Sequence, residues 1–376
     1  MSTPSTTEKM HELAALLLNR ADAAVSPLSV QLCLAMLLAG AADCTHDEPE
    51  GQTSPTHREI CAALGLDPSA EQDFLAACAL LRVALTAEVP NVQVDMASAL
   101  FCAAGIKETY KAVCADSLGA EALPLPGAAK INEWVSEHTR GMVPKVLEDE
   151  PEGPLVLVQA LVFAAKFRDM FDPAKTRPGK FAAPAGPLDV QMMTITANFR
   201  YAATEDVQLV ELPYGAAQDG HPFVAYVFLP RGRADLAHTV RTLVADHKAF
   251  QGVVESLEST DVQLSLPQFK LHSAASIADA LKALGVLAPF GAAADFARMT
   301  DVNVFVKDVL HVVRLEVNEL GTKAAAATAA LVQTRGSRPP RGGPVVMTVA
   351  SPFAFLVAHP QTGTLLFAAV VSNPVA

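Results

Sequence analysis

The run Gly321-Thr322-Lys323-Ala324-Ala325-Ala326-Ala327-Thr328-Ala329-Ala330-Leu331-Val332-Gln333-Thr334-Arg335-Gly336-Ser337-Arg338-Pro339-Pro340-Arg341-Gly342-Gly343 decides how this chain is read. Its two halves differ in kind. The first is small and uncharged apart from Lys323, and the second is basic, rich in Pro and Gly, and suited only to an exposed loop. Taken as a strand, the first half places Thr322, Ala324, Ala326, Thr328, Ala330 and Val332 on one face with no charge among them, and Lys323 on the other. Such a face is able to enter the middle of a sheet. By propensity alone the same residues form an Ala-rich helix leading into a loop, and that reading stands slightly ahead because Ala is the best helix former.

The rest of the chain supplies the context. Its 376 residues exceed twice the ~150 expected of one domain, so length alone leaves one large unit and two smaller ones open. Hydrophobic residues make up 51% and charged residues 18%, which gives ample side chain for a core and excludes a disordered chain. The longest apolar stretch, Val30 to Ala42, is shorter than the ~20 residues a bilayer span needs and contains Gln31, so a soluble protein is expected. A formal charge of -12 repels phosphate backbones and anionic lipid, so neither nucleic acid nor membrane is expected as a partner.

Met1 to Lys9 is rich in Ser and Thr, with no basic segment, apolar run and cleavage site, so no secretory leader is visible. Cys33, Cys44, Cys61, Cys78, Cys102 and Cys114 lie mostly in apolar contexts, which suits buried free thiols better than a disulfide framework. Cys44, His46, His57 and Cys61 bracket an acidic loop and are four soft ligand types, but they lack the tight C-x2-C spacing of compact zinc sites, so no metal is expected.

Hydrophobic periodicity predicts helices at 8–20, 27–42, 57–64, 71–87, 107–116 and 128–138. It predicts strands over Val92 to Phe101, Leu155 to Phe163, Phe199 to Ala203, Val207 to Pro213, Phe223 to Leu229 and Val262 to Leu271. Three further apolar stretches in 345–372 are split by Pro352, Pro360 and Gly363. Helices cluster first and strands later, without a repeat or a Gly/Ser linker, which favours one α+β domain over two in tandem.

At this point the chain resembles the serpins, the serine protease inhibitor family, over almost its whole length. Val25-Ser26-Pro27-Leu28-Ser29 is similar to the family's helix B start, and Ile131-Asn132-Glu133-Trp134-Val135 with Thr139 and Gly141 to its helix F and exit. Val190-Gln191-Met192-Met193, Leu209 to Tyr214, Leu266-Pro267-Gln268-Phe269-Lys270, Leu281 to Phe290 and Asp295-Phe296 follow in order. The strongest stretch runs from Val309-Leu310-His311 through Glu316-Val317-Asn318-Glu319 into the alanine segment, and Pro352-Phe353, Thr362-Gly363, Phe367 and Asn373-Pro374 close the pattern. The resemblance implies a single domain over 1–376 with three β-sheets, eight to nine helices and an exposed reactive centre loop at about 319–344.

It also implies a mechanism. A metastable native state offers the loop as bait, the target's catalytic Ser forms an acyl-enzyme, and insertion of the cleaved loop into the large sheet distorts the tethered protease. The hinge is then Glu319, Gly321, Thr322, Ala324, Ala325, Ala326, Ala327 and Thr328. Their uncharged face suits insertion, since a buried unpaired charge costs several kcal/mol. Counting Glu319 as the first residue, the seventeenth is Arg335, so the reactive bond is Arg335-Gly336 and the target a trypsin-like serine protease held as a covalent complex. Counting back from Pro352-Phe353 leaves Arg338 and Arg341 as alternatives, with Arg338 disfavoured by Pro339.

Ser26, Ser29 and His311 match the family's shutter cluster, where the usual Asn is Gln159 and a usual Trp nearby is Phe167. The longer amide of Gln159 is expected to keep the cluster's hydrogen bonds at a different geometry. Leu320 and Ala369-Val370 also depart from the family pattern, which leaves a non-inhibitory serpin-fold binding protein as the alternative function. The segment matching a heparin-binding helix, Glu71 to Thr86, has Arg82 as its lone basic residue beside Glu71 and Asp73, so no heparin dependence and no other cofactor is expected. A monomer is expected. No G-x-S-x-G, G-x-G-x-x-G or Walker loop supports an enzyme. The missing leader points to the cytoplasm or non-classical release, whereas an Arg bait fits extracellular proteases, so the compartment stays open.

Overall fold

A computed structural model describes residues 6–18, 24–42, 54–215, 222–231, 244–322 and 343–375. Cys44, His46, Ala324 to Thr328, Arg335, Gly336, Arg338 and Arg341 lie outside the described residues. Within them the α-helices are α1 (Thr6–Leu17), α2 (Pro27–Gly40), α3 (Pro55–Leu64), α4 (Glu71–Thr86), α5 (Glu108–Val113), α6 (Ala128–His138), α7 (His247–Glu255) and α8 (Ala278–Ala283). Six of these eight fall where periodicity places them. α2 shows why: it carries no charge and is apolar on every side, so it lies buried along nearly its whole length, started by Pro27 and capped by the Ser26 hydroxyl.

The strands are β1 (Ala24–Val25), β2 (Val92–Cys102), β3 (Glu121–Pro124), β4 (Leu155–Lys166), β5 (Arg177–Ala183), β6 (Gly186–Ala203), β7 (Val207–Pro213) and β8 (Val224–Pro230). After α7 come β9 (Glu258–Pro267), β10 (Phe269–Ser276), β11 (Val306–Asn318), β12 (Gly321–Thr322), β13 (Val345–Thr348), β14 (Phe353–His359) and β15 (Thr364–Val371).

Two hydrogen-bonded networks result. One has the order β10-β11-β12-β4-β2-β3. The other runs β1-β15-β14-β8-β7-β6-β9-β13, with β5 on the far part of β6. β6 meets β7 only through Arg200 to Ala203, while β9 pairs from Met192 onward and β5 pairs with Gly186 to Met192. The second network therefore divides at β6 into two strand sets, which with the first makes three.

The expected single strand Val262 to Leu271 is corrected to two strands in different sheets. Pro267 has no N–H to continue a ladder, and Gln268 leaves it by donating its N–H to Gln191 O at 2.9 Å. The expected Phe199 to Ala203 is the end of the longer β6, whose outward residues are polar.

The six-stranded sheet is buried on both faces at its centre. Leu157, Leu161, Phe163, Val313, Leu315 and Val317 pack into the main core with α2. On the opposite face Val156, Val158, Ala160, Leu310 and Val312 pack against Ile131, Trp134 and Val135 of α6. α6 thus covers this face of the sheet, with Trp134 edge-on to Phe101 of β2.

Candidate functional site

At the upper end of the seam between β11 and β4 the chain turns from β11 through Glu319 and Leu320 into the two residues of β12. Gly321 and Thr322 pair antiparallel with Asn318 and Val317 of β11 and with Lys166 and Ala165 of β4. Gly321 and Thr322, which lead into the alanine segment, are therefore already a strand between two others, while the alanines themselves lie outside the described residues. Gly321 is required there: its φ is +147°, and a Cβ would lie 2.1 Å from Ala165 O.

Several contacts hold the turn. Phe167 N–H donates to Leu320 O at 2.8 Å and Phe171 N–H to Glu319 O at 2.9 Å. One carboxylate oxygen of Glu319 accepts from Thr176 Oγ1 at 2.6 Å and from Gln268 Nε2 at 2.7 Å. Thr322 is fully buried, and its hydroxyl lies 2.6 Å from that of Tyr214, also fully buried. Burial pushes the Tyr214 phenol well above its usual pKa, so it stays protonated.

Below the hinge, β11 and β4 pair directly and in parallel from Val306 with Leu155 to Arg314 with Val162. Ser26, Ser29 and His311 form one network under this seam. Ser26 N–H donates to His311 Nε2 at 3.0 Å, and the Ser26 hydroxyl accepts from Ser29 N–H at 3.1 Å and from the Ser29 hydroxyl at 2.9 Å. An imidazole nitrogen that accepts carries no proton, so the ring proton sits on Nδ1. That Nδ1 is buried and has no hydrogen-bond partner among the described residues. Burial lowers the His311 pKa to about 4.

Gln159 stands opposite His311 in the strand register but belongs to another network. Its Oε1 accepts from Ser98 Oγ at 2.7 Å and its Nε2 points at Met36 Sδ, 3.4 Å away. The expectation that a longer amide keeps the shutter's bonds is corrected in this respect: the extra methylene carries the amide to Ser98 and Met36, and the His311 proton is left without it.

Tyr214, the last residue of the run Leu209 to Tyr214, is a hinge partner that no local sequence pattern marks. Phe167, noted only as a departure from Trp, stacks on Tyr214 with ring centroids 5.0 Å apart at 17°. The departure Ala369-Val370 lies in β15, buried between β1 and β14, where apolar residues fit. Of the soft ligand types, His57 Nε2 binds Glu71 at 2.8 Å and Cys61 Sγ lies 3.6 Å from His57 Nδ1. Among the described residues, no group of three or more His, Cys, Asp or Glu is arranged to hold a metal ion.

Comparison with known proteins agrees with this architecture. Residues 9–374 match the family model for serpin, a serine protease inhibitor. The chain is 30% identical over 377 residues to Serpin-ZXA of Oryza sativa subsp. japonica, covering 94% of this chain and 90% of the relative. It is 35% identical over 252 residues to human Serpin B8, covering 65% of each. The native-state crystal structure of Tengpin, a thermophilic serpin, superimposes with a TM-score of 0.83 at 24% identity, covering 98% of this chain and 93% of Tengpin. The chain with the partly filled sheet seam thus belongs to the serpins, a family of serine protease inhibitors.

Proposed function

We propose that this protein inhibits trypsin-like serine proteases as a suicide substrate, with one domain over 1–376, a reactive loop over about 319–344 and cleavage at Arg335-Gly336. The observation that carries the reading is the register of β12. Continued without a slip, it sets Ala324 opposite Leu315 and Phe163, Ala326 opposite Val313 and Leu161, and Thr328 opposite His311 and Gln159. Every one of those β11 and β4 residues points to the α2 side of the sheet or into the shutter. The uncharged face of the segment is thus the face that a growing strand turns to the core, and Lys323 points the other way.

The chemistry follows from a tethered acyl-enzyme. The protease's Ser Oγ attacks the Arg335 carbonyl carbon, the bond to the Gly336 nitrogen breaks, and the new amine leaves with a proton from the protease's His. The ester then holds the protease on Arg335. Freed from Gly336, the segment extends between β11 and β4, replacing their direct parallel pairing with two antiparallel ladders. If this happens before water reaches the ester, the complex is trapped.

The chain acts as a monomer without heparin, nucleic acid or membrane. Arg82 supports the absence of heparin: it packs its stem against Gly119 and donates to Asp116 O, while the outward residues of α4 include Leu80 at 73% and Val83 at 60% exposure. Incubation with trypsin, thrombin or plasmin followed by a denaturing gel tests the reading. A covalent complex and a fragment beginning at Gly336 are expected. Cleaved protein alone, with no gain in thermal stability, sinks the inhibitor reading and favours a non-inhibitory binding protein, the second reading that the displaced Gln159 amide supports.

A further inference from the structure

We propose that Tyr214 is a positioning residue for loop insertion: its hydroxyl keeps Thr322 seated between β11 and β4, so that the inserting strand grows from an end already in place. The inference rests on the insertion mechanism proposed above. It starts from a contact between residues 108 apart in sequence, both fully buried, with hydroxyl oxygens 2.6 Å apart.

The Tyr214 ring has little freedom. Phe163 meets it edge-on with centroids 5.0 Å apart at 74°, and Phe167 stacks on it at the same distance. Its N–H donates to Phe223 O at 3.0 Å, which fixes the backbone from the other side. The aromatic packing therefore aims one polar atom, the phenol oxygen, at one polar atom of the hinge. Phe167 works on both parts at once, since its ring stacks on Tyr214 and its N–H donates to Leu320 O.

Two consequences follow for the reaction. Beginning a strand inside a closed sheet requires ordering residues before any ladder bond rewards it, whereas adding to a seated end gains bonds with each residue. A latch that keeps Gly321 and Thr322 in the sheet removes that slow start and lets insertion outrun hydrolysis of the acyl-enzyme. Without it, Thr322 Oγ1 loses the hydroxyl partner it has among the described residues, and the hinge is drawn out toward water. Tyr214 touches neither the protease nor the reacting bond, so its effect appears after cleavage and not in the encounter.

The test uses the full chain and three variants: Tyr214→Phe, Thr322→Val and the double variant. Tyr214→Phe keeps the ring and its stacking and removes only the hydroxyl. Amide exchange at Gly321 and Thr322 in the uncleaved protein is expected to accelerate about tenfold, the change one lost buried hydrogen bond produces. The share of trypsin-cleaved inhibitor that ends as free product should rise, with the rate of first cleavage unchanged. The double variant replaces both polar partners with apolar groups of similar shape and should return both readouts toward wild type, which a merely structural role for Tyr214 does not predict. Unchanged exchange and partition in Tyr214→Phe, or defects that simply add in the double variant, overturn the proposal. If the wild-type chain forms no covalent complex, the inhibitor reading falls by itself, and exchange at Gly321 and Thr322 alone then decides whether Tyr214 latches the hinge.

Discussion

His311 and Gln159 face each other across the β11–β4 seam, one register pair among eight, yet their side chains turn to different partners. Among the described residues, the buried Nδ1 of His311 has no hydrogen-bond partner. Giving a buried polar hydrogen an acceptor stabilises the state that holds the pair by about 1–3 kcal/mol. In the proposed insertion, the register of Gly321 and Thr322 continued without a slip would bring Thr328, the next hydroxyl on that face, to this position. Thr328→Val should therefore lower the thermal stability of the cleaved, inserted form by roughly that amount while leaving the uncleaved form unchanged. Melting curves of both forms check this, and equal losses in the two would show that Thr328 does not meet His311.

Acid should loosen the native fold through its buried histidines. Burial lowers the pKa of both His311 and His11 to about 4, against 6.5 for an exposed ring. Between these values the unfolded chain binds protons that the folded chain refuses, so stability is fully present above pH ~6.5 and declines as pH falls toward 4. His272 and His359 shift in the same direction, also by burial. A complete shift of this size is worth roughly 3 kcal/mol per histidine at pH 4. His311→Gln should flatten the dependence of melting temperature on pH between 4 and 6.5 relative to wild type. A slope equal to wild type would mean that His311 is not titrating in that window.

Much of the fold was legible because burial imposes a period. The predicted strand Val207 to Pro213 coincides with β7, which is buried almost throughout. β5 and most of β6 have no such match, because their outward positions carry Arg177, Lys180, Asp189 and Gln191 and only a few inward ones are deeply buried. The run Val262 to Leu271 hid a change of sheet, because apolar residues continue on both sides of the Pro267 break. In the site, the uncharged face of the alanine segment was visible as composition. That Tyr214 touches Thr322, and that Gln159 turns to Ser98, depend on how distant strands pack, which no local pattern records.

Charge and bulk at the hinge should separate cleavage from inhibition. Thr322→Arg would bury a guanidinium beside Tyr214, a burial that costs several kcal/mol without a partner. Gly321→Val should act alike, because its side chain would meet Ala165 O and its φ of +147° suits glycine. Both variants are expected to be cut by trypsin at the wild-type rate and to yield cleaved chain with no covalent complex. Persistence of the complex in Thr322→Arg would mean that the hinge need not enter the sheet.

The identity of the bait residue is open to a direct comparison of three arginines. Arg335 is the seventeenth residue counted from Glu319, and Gly336 after it presents no obstacle to a protease, whereas Arg338 precedes Pro339. A trypsin-like pocket carries a buried carboxylate that pairs with the bait guanidinium, and truncating one partner of such a pair costs about 2–5 kcal/mol. Arg335→Ala should thus reduce the rate of complex formation with trypsin by about two orders of magnitude. Arg335→Lys should retain most of it, because a Lys ammonium still pairs with the carboxylate, though without the bidentate fork. Arg338→Ala and Arg341→Ala should stay within a few-fold of wild type. The mass of the released C-terminal fragment gives the cut independently, since it begins at Gly336 if Arg335 is the bait, at Pro339 if Arg338 is, and at Gly342 if Arg341 is.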